Sequence, residues 1–509
     1  MKKILLLLIV LILSISLLAC GSSSGTTNDD EDSDQKTEQK EDKEDKEDKE
    51  DKEDKEDKED KEDKEDKEDK EDKEDKEDKE DKEDKEDKED KEDKEDTGKK
   101  LSMNKKVTID EKVLYEENDV KITVTKLEFD NDSAELTFVF ENNSNKDLSF
   151  ISNSWGYSCN SVNEYMVEDG YVNCDVAAGK KGKDTLSFSF TNLYSYGITE
   201  IADICVGFSI NDDDYDTEDI YTGPLGIKTS SSYQYDKNTF KDFINNKNAT
   251  KQLGVEVLKY SEDVLYDQDS IKMLSQTFVK GKNGSLLLLE FENSSDDLLT
   301  VSTRNFAINN LIIQNQSNDS ITISGGKKGF ISINANALID DGDFYKTFGV
   351  DKFGYFNFDL KIIAEDGKAV NEEHNIEYIV TDKSNSLDMS GEEIYNENEI
   401  KIISKGVFYE DKEYGDDFCY VYLIENNSSQ EIVIDDKYDS VSINGFMVDY
   451  YAYSRTIKEG MCALFIVEID DDSMEELEIT AISEIEEFEI GVTIKDTKYK
   501  TIADLKISK

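Results

Sequence analysis

Met1-Lys2-Lys3 is followed by a run from Ile4 to Leu18 that is apolar but for Ser14 and Ser16. As a helix at about 1.5 Å per residue it is roughly 22 Å long, short of the roughly 30 Å hydrocarbon core, so the pattern predicts a secretory leader rather than a span. Apolar residues then almost vanish. From Glu41 to Lys94 the tripeptide Glu-Asp-Lys repeats eighteen times, and Glu95-Asp96 begins another copy. From about residue 100 onward Val, Ile, Phe and Tyr recur at every second position, in short runs broken by Asn, Asp, Gly and Ser. That alternation predicts half-buried β-strands joined by turns.

The strand region repeats itself. Phe140-Glu141-Asn142-Asn143-Ser144 returns as Phe291-Glu292-Asn293-Ser294-Ser295 and as Ile424-Glu425-Asn426-Asn427-Ser428. Each phrase ends an alternating strand (Leu136, Phe138, Phe140; Leu287, Leu289, Phe291; Tyr420, Tyr422, Ile424) and closes with residues that favour a turn. A second anchor follows 38, 34 and 35 residues after the Glu: Ala178-Gly179-Lys180-Lys181-Gly182, Gly325-Gly326-Lys327-Lys328-Gly329 and, more loosely, Lys458-Glu459-Gly460. Between them lies a third phrase, Asn163-Glu164-Tyr165-Met166-Val167, echoed by Asn309-Asn310-Leu311-Ile312-Ile313 and Asn444-Gly445-Phe446-Met447-Val448. Three ordered coincidences point to three copies of one unit.

Seven or so short strands in each copy predict an antiparallel sandwich with Greek-key connections. Here the chain resembles the immunoglobulin-like domains found in tandem in uncharacterised lipoproteins of Gram-positive bacteria. The expected fold is therefore all-β, with three tandem immunoglobulin-like sandwiches at residues 100–230, 231–385 and 386–509. The second has a helical lead-in, since Phe240, Phe243 and Ile244 stand at helical spacing within Asp236–Asn248. In the third, Ser473 with Glu476 forms a capping-box pattern that predicts a helical turn.

The leader ends Leu17-Leu18-Ala19-Cys20, which resembles the lipobox of bacterial lipoproteins. The resemblance implies a signal peptide over 1–19, cleavage between Ala19 and Cys20, thioether lipidation of Cys20 and acylation of its new amino group, palmitate being a typical chain. One acyl chain holds a protein only marginally, whereas two or three hold it stably. The expected location is the outer face of the cytoplasmic membrane, exposed to or beyond the cell wall.

Charge sharpens this picture. The chain carries 121 acidic and 61 basic residues, a net charge of -60. That argues against nucleic acid, whose binding needs clustered cations, and against adsorption to anionic headgroups, leaving the lipid as the membrane contact. In the Glu-Asp-Lys tract helix-favouring and helix-opposing charge pairs nearly cancel, and Asp disfavours helix interiors. Residues 20–99 are thus expected to form a lipidated, disordered acidic stalk. Its 56 repeat residues would span about 84 Å if helical, or up to roughly 185 Å if stretched.

Candidate chemistry is sparse. His374 is the single histidine and is expected in an exposed loop, which removes histidine-dependent triads and multi-histidine zinc sites. No phosphate-binding glycine loop stands between a strand and a helix. The chain is therefore not expected to be an enzyme or to carry a cofactor. The acidic loops Asn211–Asp216 and Asp470–Asp472 offer oxygen ligands to calcium, but lack the spacing of a helix-loop-helix calcium site, and no metal residue is assigned. Cys159 with Cys174 and Cys419 with Cys462 are candidate disulfides, against buried thiols as the alternative. The aromatic clusters remain as candidate ligand contacts: Trp155 and Tyr157, and Tyr451 and Tyr453 with Arg455. The expected function is that of a lipid-anchored surface protein displaying noncatalytic binding or adhesion modules, with cell-wall glycan or a surface protein as partner. The alternative is a structural or protective envelope lipoprotein without a specific ligand.

Overall fold

The computed structural model describes residues 100–508 except 154–158, 213–218, 235, 314–318, 337–347, 349, 351, 382, 384–386 and 413–414. The leader, Cys20 and the Glu-Asp-Lys tract lie outside the described residues. What is described is an all-β chain of three antiparallel sandwiches in tandem.

The first sandwich holds β1 (Lys112–Glu117), β2 (Val120–Phe129), β3 (Ser133–Asn142), β4 (Leu148–Ser152), β5 (Ser161–Val162), β6 (Tyr165–Met166), β7 (Val172–Val176) and β8 (Lys181–Ser189). Helix α1 (Phe190–Ser195), which the sequence pattern did not disclose, leads to β9 (Asp203–Val206), β10 (Ser209–Asn211), β11 (Ile220–Tyr221) and β12 (Leu225–Lys228). Helices α2 (Thr239–Asn245) and α3 (Lys247–Gln252) then bridge to the second sandwich. As the spacing predicts, Phe240, Phe243 and Ile244 are buried, and they join the first core.

The second sandwich comprises β13 (Glu256–Ser261), β14 (Asp267–Gln268), β15 (Ile271–Gly281), β16 (Gly284–Asn293), β17 (Leu299–Ile308), β18 (Leu311–Ile312), β19 (Ser320–Ile323), β20 (Lys328–Asn334), β21 (Tyr355–Ala364) and β22 (Ala369–Ile379). The third begins with β23 (Glu392–Glu397), β24 (Ile400–Lys412), β25 (Gly415–Asn426), β26 (Ile432–Asp436), β27 (Ser442–Ile443) and β28 (Phe446–Met447). It continues through β29 (Tyr450–Ala452), β30 (Arg455–Ile457), β31 (Cys462–Ile469), helix α4 (Asp471–Glu476), β32 (Phe488–Asp496) and β33 (Thr501–Ser508).

Alternation builds the cores. Leu136, Phe138 and Phe140 of β3, and Leu287, Leu289 and Phe291 of β16, turn one face inward and are fully buried. Strand β25 departs from this pattern. Tyr420, Tyr422 and Ile424 face the third core, while Cys419, Val421 and Leu423 are also buried and pack into the second. Its unbroken apolar run reflects burial on both faces.

The Asn of the first repeated phrase explains why the phrase recurs. Asn142 is fully buried; its amide donates to the carbonyls of Lys146 (2.7 Å) and Val176 (2.9 Å), and its oxygen accepts from the amide and hydroxyl of Ser144. Asn293 makes the same four bonds with Asp297, Ile323 and Ser295, and Asn426 with Gln430, Ile457 and Ser428. One side chain closes the local turn and ties it to the opposite sheet. At the second anchor Gly179, Gly326 and Gly460 take φ of 68°, 71° and 73°, the left-handed region glycine enters without steric penalty.

Three sequence expectations need correction. His374 lies in β22 rather than a loop; it falls where four residues, 373 to 376, face three of β21, 358 to 360, a bulge at which Asn375 takes φ 55°. The predicted helical turn is present as α4, but its cap is Asp470, whose carboxylate accepts from the Asp472 amide, because Ser473 sits inside the helix and accepts from the Asp449 amide instead. Neither candidate disulfide forms, and Cys159, Cys174, Cys419 and Cys462 are buried thiols. On the β25–β31 ladder Cys419 pairs with Glu468 and Cys462 with Glu425, so six register positions, about 20 Å at 3.3 Å each, separate the two sulfurs' strands positions.

Candidate binding surface

The third repeated phrase forms a hairpin that is held alike in all three sandwiches. Asn163 accepts from the Ala202 amide (2.8 Å) and donates to the Glu200 carbonyl; Asn309 accepts from Gly354 and Tyr355; Asn444 accepts from Glu486 (2.8 Å) and Glu487 (3.0 Å) and donates to Glu484. Asn309 and Asn310, and Asn444 and Gly445, all have positive φ, the backbone of the two-residue turn that matches strand twist.

In two sandwiches this hairpin crosses into the next. Strand β6 lies parallel to β20, with the Lys328 amide donating to the Glu164 carbonyl (2.7 Å). Strand β18 lies parallel to β31, with the Cys462 amide donating to the Asn310 carbonyl (2.8 Å). One sheet therefore runs β12-β9-β5-β6-β20-β16-β15-β13, and another β22-β21-β17-β18-β31-β25-β24-β23.

The first junction is polar at its centre. The Tyr165 hydroxyl donates to Glu290 (3.0 Å), which also accepts from Ser275 (2.7 Å), with the Lys328 ammonium 3.9 Å away. Burial pushes the Glu290 carboxyl up, although Ser275, Lys328 and Tyr165 draw it back; burial beside Glu290 also raises the Tyr165 phenol. The rings of Tyr165, Tyr196 and Phe330 form a triangle, with Tyr165 5.6 Å from each of the others and those two 5.5 Å apart. At the second junction Lys458 of the third sandwich bonds Asp359 of the second. Burial would raise Asp359, but Lys458, Asn305 and the Asn375 amide hold it below the usual carboxylate range.

In the third sandwich β28 pairs with β27, and among the described residues with no other strand. Phe446 and Met447 are each 62% exposed, whereas Tyr165 and Leu311, the counterparts of Phe446, are fully buried. The sequence phrase contained both residues, but marked only the repeat.

Of the predicted contacts, Trp155 and Tyr157 lie outside the described residues. Tyr451 on β29 and Tyr453 just beyond it are exposed, and the Arg455 guanidinium stands 5.6 Å over the Tyr453 ring. Neighbouring Tyr450 faces inward instead, its hydroxyl bonding Asp436 (2.6 Å) and the Lys437 carbonyl; burial, then Asp436, pushes its phenol up to about 12. Exposed rings beside a guanidinium can grip the face of a sugar or a protein side chain. Among the described residues no group of three or more His, Cys, Asp or Glu is arranged to hold a metal ion, and no helix is long and apolar enough to cross a membrane. Asp213 to Asp216 of the first acidic loop lie outside the described residues.

No protein-family model and no curated protein matches this chain. Among solved structures, a protein of unknown function from Porphyromonas gingivalis W83 is 10% identical over 50% of this chain and 98% of its own, with a TM-score of 0.14. The exo-β-D-glucosaminidase CsxA, from work on its inhibition by a glucosamine-configured castanospermine and an amino-australine analogue, is 7% identical over 76% of this chain and 79% of its own, at a TM-score of 0.15. The Amycolatopsis orientalis exo-chitosanase CsxA is 7% identical over 79% of each chain, at 0.14.

Proposed function

We propose that this chain is a lipid-anchored surface protein that displays noncatalytic binding modules on an acidic spacer, and that the third sandwich makes the contact. The observation that carries this reading is the set of large apolar and aromatic side chains exposed there: Tyr438, Phe446, Met447, Tyr451, Tyr453 and Tyr499. Rings presented to solvent are characteristic anchors of recognition surfaces. The leader and Cys20 supply the attachment in this reading, and a wall glycan or another surface protein is the partner.

The chain from Gly21 to Lys509 should bind isolated wall glycan or surface protein saturably, and Tyr451→Ala with Tyr453→Ala and Arg455→Ala should weaken that binding at least tenfold. Binding that ignores these substitutions and disappears in moderate salt would belong to the acidic tract and sink the proposal. Absence of any saturable partner would favour the structural or protective envelope role. Replacement of Cys20 by Ala should release the protein from the membrane fraction; retention there would overturn the anchor.

A further inference from the structure

Each junction mates a donor hairpin with an acceptor edge, and the described residues hold one donor and one acceptor that are not mated. The donor is β28. The acceptor is β8, which pairs with β3 on one side and ends its sheet on the other. We propose that the β28 hairpin of one molecule docks on the β8 edge of a second copy, joining molecules head to tail. This goes beyond the binding role above and does not require it.

The alignment is residue by residue. Glu141, Glu292 and Glu425 pair with Lys181, Lys328 and Cys462. The amide of Lys181 therefore points off its sheet edge, as do the two amides that bond Glu164 and Asn310. Gly445 occupies the hairpin position of Glu164 and Asn310, so a Lys181 amide to Gly445 carbonyl bond would reproduce both internal contacts.

Side chains change in step. At the first junction Lys327 reaches the Asn163 carbonyl and the Asp203 carboxylate. Lys180 is its counterpart. It would meet the Asn444 carbonyl and Glu487, because Asn163 donates its amide to Asp203 as Asn444 does to Glu487. Where Tyr165 bonds Glu290, Phe446 would meet Val139, which is partly buried and stands two residues before Glu141 as Glu290 does before Glu292. A polar pair is thus replaced by an apolar one, as Leu311 and Leu423 already replace it at the second junction. Lys183 takes the place of Phe330, which puts an ammonium where a ring stacks; that arrangement remains attractive toward the face of Phe446.

An open strand edge is a template for pairing with another chain. The same surface is not used on both partners, so the contact is heterologous, and a dimer joined by it still carries one open donor and one open acceptor. It lacks the cover that Phe240 of α2 gives Phe330, 4.5 Å away, and the linkage that makes the internal contacts intramolecular. Association should accordingly be reversible and weaker than the internal junctions.

Sedimentation of the chain from Gly21 to Lys509, in salt sufficient to screen its charge, should show a mean mass that rises with concentration and reaches no dimer plateau. Phe446→Asp with Met447→Asp disables the donor, and Lys181→Pro the acceptor. Each variant alone should remain monomeric, yet a mixture of the two should form one-to-one dimers, since each retains the half the other lacks. Lys180→Glu, which opposes Glu487 with like charge, serves as the acceptor variant if the proline version melts early. A wild-type chain that stays monomeric up to millimolar concentration, assembly that survives the donor substitutions, or a mixture that does not dimerise would overturn the proposal.

Discussion

The amide of Cys462 donates to the carbonyl of Asn310 at 2.8 Å, across the boundary between the second and third sandwiches. The Lys328 amide does the same to Glu164 at the boundary before it. These bonds belong to short parallel ladders that merge two sheets into one. Adjacent sandwiches therefore share backbone hydrogen bonds as well as side-chain packing, and damage at a junction should be felt on both sides.

Asn426→Ala should destabilise the third sandwich by about 3 kcal/mol, since it takes a donor from the buried carbonyl of Ile457, leaves the Gln430 carbonyl with the Ser428 hydroxyl alone, and removes the acceptor for Ser428. Urea unfolding followed by tyrosine fluorescence measures it. A loss below about 0.5 kcal/mol would show that the turn holds without its side chain.

Lys458→Ala should lower stability by about 3 kcal/mol, because it leaves the buried Asp359 carboxylate without its cation. Lys458→Ala combined with Asp359→Asn should recover much of that loss. A double-mutant cycle with no coupling would place the stability of the junction elsewhere.

Glu290 and Asp359 should respond to pH in opposite directions. The folded pKa of Glu290 is raised above 4.5, so its contribution is most favourable below that value and is lost as pH rises through the folded pKa. Asp359 is lowered from 3.8, so it stabilises above that value and the contribution is lost as pH falls through its folded pKa. Glu290→Gln should therefore melt higher than wild type at about pH 7, with the difference shrinking toward pH 4. A pH-independent difference would contradict the desolvation of Glu290.

The buried thiols should resist modification. Burial, then Glu425, pushes the Cys462 thiol up to about 12, and burial with Asp184 and Asp175 raises Cys174. In the folded chain from Gly21 to Lys509 a thiol reagent should label Cys205, which is partly exposed, ahead of Cys159, Cys174, Cys419 and Cys462. Mass spectrometry of the alkylated protein without reductant provides the check; a mass two hydrogens short would reveal a disulfide.

Much of the fold is legible from local pattern. Phe138 and Leu289 announce their buried faces by alternation, Asn142 its turn by the phrase around it, and Phe240 and Phe243 their helix by spacing. Helix α1 is not legible, because Phe190 continues the alternation of Leu186 and Phe188 in β8, the single turn from Phe190 to Leu193 and Tyr194 is too short to set a period, and no start signal stands beyond Ser189, whose side chain makes no cap bond. Of the candidate contacts, Tyr451, Tyr453 and Arg455 were visible as a cluster of rings. Phe446 was not, since its phrase is the same one that buries Tyr165.

The amino-acid order alone determined the strands, the turns and the threefold repeat, because alternation, an Asn-x-Ser turn and a left-handed glycine act over a few residues. Tertiary structure alone decided that hairpins cross between sandwiches. Asn163 and Lys327 meet across 164 positions, and such pairing depends on which edge is within reach, a property that no short stretch of residues encodes. That is why three nearly equal hairpin phrases have two fates, two buried in a neighbouring sheet and one presenting Phe446 and Met447 to solvent.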